Sequence, residues 1–138
     1  MPLHIIKLCV GVGELREFEE WRREERKAGR QMSHVTRMFP KRAAEILKGG
    51  SIYWVIRGLT SVRQPILRLE TVSGRDGIER CRIVLDPDYV LVRPTPRRAF
   101  QGWRYLSASD APPDLTKRSG IARMPERLRV ELAELGLL

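Results

Sequence analysis

The stretch from residue 51 to residue 92 constrains the fold more than any other part of the chain. It opens with Ser51, Ile52, Tyr53, Trp54, Val55 and Ile56, a run that is mostly β-branched or aromatic. Such side chains pack well on a pleated surface and poorly around a helix. Gly58 ends the run. Residues 63–72 then alternate, with Ile66, Arg68 and Glu70 against Leu67, Leu69 and Thr71. That is the period of a strand with two different faces. Residues 73–77 (Ser-Gly-Arg-Asp-Gly) supply a hairpin-type loop, and residues 78–85 its partner strand. Asp86, Pro87 and Asp88 turn the chain again into a strand over residues 89–92.

The flanks read differently. Residues 3–10 form a mostly apolar strand closed by Gly11, Val12 and Gly13. Residues 14–29 contain no proline and place Leu15, Phe18 and either Trp21 or Arg22 on one side, which predicts a helix ending at Gly29. Glu19 and Arg23 have the spacing of a helical pair. Residues 33–39 predict a short strand with His34 and Thr36 on one face. Pro40 then fits the first turn of a second helix over residues 41–48, with Ala43, Ala44, Ile46 and Leu47 turned inward and Gly49 and Gly50 as its stop. Residues 93–105 predict an extended surface segment, residues 107–120 a loop, and residues from Met124 to Leu135 a last helix. The order favours α+β: a small, mostly antiparallel sheet or barrel with flanking helices, in one domain spanning residues 1–138.

Several classes of protein drop out. The longest apolar runs fall far below the roughly 18 residues of a membrane-spanning helix. The start, Met1, Pro2, Leu3 and His4, lacks the pattern of a signal peptide, so a cytoplasmic protein is expected. Cys9 and Cys81 each sit in an apolar strand and read as buried free thiols. His4 and His34 are the only histidines, and none of the four residues is paired at ligand spacing, so no metal or other cofactor is expected. Gly11 and Gly13 follow a strand, but Arg16 stands where a dinucleotide-binding turn needs its third glycine. There is no phosphate-binding loop.

Charge carries the functional signal. Twenty-six Lys and Arg against 17 Asp and Glu give a net charge of +9. Residues 1–30 contribute +1, residues 31–57 +4, residues 58–82 +2, residues 83–92 −2, residues 93–104 +4 and the rest nothing. Eight of the nine net charges thus lie in the middle of the chain, which points to a polyanionic partner. The densest stretch interleaves Arg93, Arg97, Arg98 and Arg104 with Phe100, Trp103 and Tyr105. Guanidinium groups clamp phosphates and aromatic faces stack on unpaired bases, a combination suited to single strands. Trp103 and Phe100 would serve equally well as core anchors. A second cluster, Arg37, Lys41 and Arg42, precedes or opens the second predicted helix, and Arg57 extends the basic surface.

Seven strings also resemble a family of small, mainly alphaproteobacterial proteins classed as a domain of unknown function. They are MPLHIIKLCVG, HVTRMFPKRA, GGSIYWVIRG, RQPILRLE, FQGWRYL, DAPPDL and ELAELGLL. The resemblance implies a stand-alone cytosolic domain and supplies no activity. More loosely, residues 43–57, a helix, two glycines and a strand ending in Arg57, are similar to the entry of PUA-related domains, the ASCH group among them. That likeness implies a PUA-like β-barrel with flanking helices and a nucleic-acid partner, RNA in first place. Ser51, Ile52 and Tyr53 replace the Lys and Glu of the ASCH pattern, so its hydrolytic set does not map.

Three functions follow as expectations. The first is an RNA-binding accessory domain that uses Arg37, Lys41, Arg42, Arg57, Arg97, Arg98, Trp103, Arg104 and Tyr105. The second is a small enzyme on a nucleotide or other anionic substrate, with His34, Glu70, Asp86 or Asp110 as base. The third is a protein-interaction module docking through Leu128, Leu132 and Leu135.

Overall fold

A computed structural model describes residues 2–29 and 31–115. The helix expected from Met124 and its leucine stripe lie outside the described residues. Strand β1 (His4–Leu8) leads into helix α1 (Leu15–Lys27), then β2 (Ser33–Thr36), the one-turn helix α2 (Ala43–Ile46), β3 (Ser51–Ile56), β4 (Leu59–Ser73), β5 (Glu79–Leu85), β6 (Val90–Pro96) and β7 (Trp103–Leu106). This is α+β, as expected. Among the described residues no helix is long and apolar enough to cross a membrane.

One seven-stranded sheet runs in the order β2-β5-β4-β3-β1-β7, with β6 pairing β4 off this path. Among the described residues only β1 and β3 pair in parallel; the other pairs are antiparallel. The β3–β4 hairpin shows how tightly the sequence sets this up. Ile56 pairs with Leu59, so only Arg57 and Gly58 turn the chain, and both have positive φ (54° and 76°). A two-residue turn needs left-handed backbone at both positions because its twist then matches that of the strands.

The large core lies on the sheet face that bears Ile5, Ile52, Trp54, Ile56, Val62, Cys81 and Ile83. Helix α1 covers it with Leu15 and Phe18, and Trp21 packs alongside. Phe18 is fully buried, which contributes about 1.5–3 kcal/mol. A smaller core on the opposite face joins Ile6, Tyr53, Val55, Val92 and Leu106 to Phe100 and Ala111. The loop carrying Ala111 is pinned there by Asp114, which accepts two bonds from Arg63 at 2.7 and 2.8 Å.

Three expectations need correction. Among the described residues the barrel is not closed: β2 pairs only β5, β7 pairs only β1, and no backbone ladder joins these end strands. The second helix is not residues 41–48 but a single turn in which Ile46 is buried while Ala44 and Leu47 are exposed. The chain must leave it early, because the Gly50 N–H bonds the Ile46 carbonyl at 2.7 Å and β3 begins at the next residue. The strand expected at 89–92 continues to Pro96, with Pro94 and Pro96 in it. Its one named strand partner is β4, and proline is tolerated where a strand edge needs no donor.

Candidate nucleic-acid interface

The end strands β2 and β7 approach each other without pairing. Across the gap the Trp103 indole Nε1 donates to the Met38 carbonyl at 3.1 Å. The Tyr105 hydroxyl accepts the Arg42 N–H at 3.2 Å. Between the two strands lies a cleft of about 650 Å³. Val35, Thr36, Arg37 and Met38 form its β2 side, Gln101 to Tyr105 its β7 side, and Lys7 its β1 contribution. Val35, Met38 and Tyr105 are large apolar or aromatic side chains left exposed here.

A second hollow of about 550 Å³ adjoins it, lined by residues 96–100 with Arg104 and Tyr105. Arg104 and Tyr105 therefore belong to both. In the second hollow the Arg97 and Arg104 guanidiniums both lie over the Phe100 ring, at 5.7 and 5.6 Å from its centre. Arg104 is further held by bonds to the Gln101 and Trp103 carbonyls at 2.7 and 3.0 Å. Trp103 and Tyr105 meet edge to face at 4.9 Å.

Six of the nine residues read from the sequence thus come together: Arg37, Trp103, Arg104 and Tyr105 in the cleft, and Arg97 and Arg98 beside it. Arg42 adjoins them with its guanidinium 5.5 Å from the Tyr105 ring, but Glu45 already holds it through two bonds of 2.6 and 2.8 Å. Lys41 is exposed in the neighbouring loop and lines neither hollow. A helix of one turn adds no useful dipole to this pair. Arg57 stands apart in the β3–β4 turn, 3.8 Å from Glu14.

The candidate bases do not gather at the arginines. Neither His34, Glu70, Asp86 nor Asp110 lines either hollow. Glu70 sits between Arg68 and Arg82 at 3.7 and 3.8 Å. Asp86 accepts the Asp88 N–H at 2.9 Å, as a turn residue does. His34 lies edge-on to Trp54 at 5.3 Å, and its Nε2 is buried with no hydrogen-bond partner. Burial first, then the Lys7 charge, depresses its pKa to about 4, so it is neutral at pH 7. Burial also pushes the Cys9 thiol up to about 12 and Cys81 to about 11, so neither is an activated nucleophile. Among the described residues no group of His, Cys, Asp and Glu could hold a metal ion.

The sequence reading passed over Lys7. A lone cation in an apolar strand reads as a side chain pointing to water. The available signal was parity: Lys7 shares its strand face with Ile5, which is fully buried in the large core.

An open α+β sheet with a cationic, aromatic seam is the class these observations define. The chain belongs to the family described as "Protein of unknown function (DUF1489)", which it matches over residues 5–138. No curated protein and no solved structure matches it.

Proposed function

We propose that this protein binds single-stranded nucleic acid, RNA in first place, along the track formed by the β2–β7 cleft and the hollow beside it. One observation carries the reading: Arg104 and Tyr105 are common to both hollows, which makes a continuous path of cations and aromatic rings. Arg37, Arg97, Arg98 and Arg104 are exposed and can reach phosphates, while Trp103 and Tyr105 offer stacking faces. Arg42 is a weaker contributor because Glu45 offsets its charge. Arg57 and Lys41 act only as part of the general positive field.

The test is fluorescence anisotropy with mixed-sequence single-stranded RNA, matched DNA and duplex RNA at low salt. Single strands should bind more tightly than the duplex. Arg97→Ala/Arg98→Ala and Trp103→Ala should each weaken RNA binding, the tryptophan change by about 1–3 kcal/mol. Absent binding at low salt, or affinity unmoved by both variants, overturns the proposal.

A further inference from the structure

Lys7 stands in an unusual row. At matching register it has Trp54 beside it on β3 and Trp103 beside it on β7. Side chains at matching positions share a face, so Lys7 projects from the same face as the two indoles, and it lines the cleft with Trp103. Trp54 is 2% exposed and fixed by its Nε1 bond to the Gln64 side-chain oxygen at 2.9 Å. Trp103 is fixed by its bond to Met38 across the gap. Among the described residues, none of the ion pairs includes Lys7. A half-buried cation flanked by rings and left without an acid favours an incoming anion.

We propose that the cleft takes one unstacked nucleotide, its base against the Trp103 ring and its phosphate on the Lys7 ammonium. The proposal rests on the single-strand reading and names what happens at one place on that track. The volume fits: about 650 Å³ falls within the roughly 300–1,000 Å³ of ligand sites. The walls fit as well. Val35 and Met38 give the base an apolar surround, and Arg37 stands at the same cleft for a neighbouring phosphate. A ring already held in place loses little freedom when a base stacks on it. The unpaired edges of β2 and β7 present backbone donors and acceptors with which the base edge can bond. The same nucleotide unit can arrive within RNA or as a free monophosphate.

Isothermal titration with free nucleoside monophosphates, with the matching nucleosides, and with single-stranded RNA separates these sources. At least one monophosphate should bind at least about tenfold more tightly than its nucleoside, the scale of a charge-assisted bond. Lys7→Met should abolish that preference, and Lys7→Arg, which keeps the charge, should retain it. Arg97→Ala/Arg98→Ala should retain it too while weakening RNA. If no monophosphate binds, or if the preference survives Lys7→Met, the nucleotide pocket is overturned, and RNA binding that still depends on Arg97 and Arg98 leaves the wider reading standing. If monophosphates bind through Lys7 but RNA does not, the pocket stands and the RNA track falls.

Discussion

His34 is kept neutral by its surroundings, and this has a measurable cost in acid. Burial and the Lys7 charge both disfavour the imidazolium. As pH falls, the unfolded chain, with its histidine near 6.5, takes up the proton before the folded chain, near 4. The stability this residue contributes is therefore complete above about 6.5 and is lost between there and about 4. His4 is shifted the same way, with burial again the largest cause. Urea midpoints should fall through this window, and His34→Gln should flatten part of the fall. A curve identical to that of the unmodified protein would remove His34 from the account. The residue scale also marks where sequence reading stops. Arg97, Arg98, Trp103, Arg104 and Tyr105 were legible because they lie close together in the chain. Lys7 and Met38 join them only when β1 and β2 are brought to β7, and no local pattern carries that juxtaposition.

At the scale of elements, the path from α2 into β3 leaves no room. A Cβ at Gly50 would press on the Leu3 and Ile46 carbonyl oxygens, closer than real Cβ contacts come. The Gly50 carbonyl also accepts the Ile66 N–H at 3.0 Å, so backbone bonds restrain the residue on two sides. Gly50→Ala should destabilise by about 2 kcal/mol or more in urea unfolding. The neighbouring Gly49→Ala meets no atom but is strained at its φ of 101°, and should cost less, about 1 kcal/mol. Strands were the most legible elements, since β3, β4 and β5 carry β-branched runs or strict alternation. The ends were not. α2 is cut short by the demand that β3 start beside β1, and β6 runs through two prolines on a lightly paired edge. Both are decisions of tertiary structure that override local preference.

For the whole molecule, the charge counts translate into a salt dependence. If Arg97 and Arg98 each hold a phosphate of a single strand, removing both should lower the slope of log affinity against log salt by about 1.4. Removing Arg57, which Glu14 engages away from the cleft, should leave it nearly unchanged. A fall of about 0.7 on removing Arg57, half that of the double variant, would mean that binding follows total charge and not the track. The sheet itself was expected as a closed barrel or an open sheet, and the chain takes the open form. In place of a closing ladder, two side chains of β7 bond the backbone of the segment that joins β2 to α2, Trp103 at Met38 and Tyr105 at Arg42. Bare strand edges invite a second copy of a chain to zip on, and proteins commonly blunt them with positive charge. Arg37, one residue past the end of β2, and Arg104, within β7, put such charge at these edges. A variant stripped of both should therefore be checked for self-association by light scattering, where increased aggregation is the expected outcome.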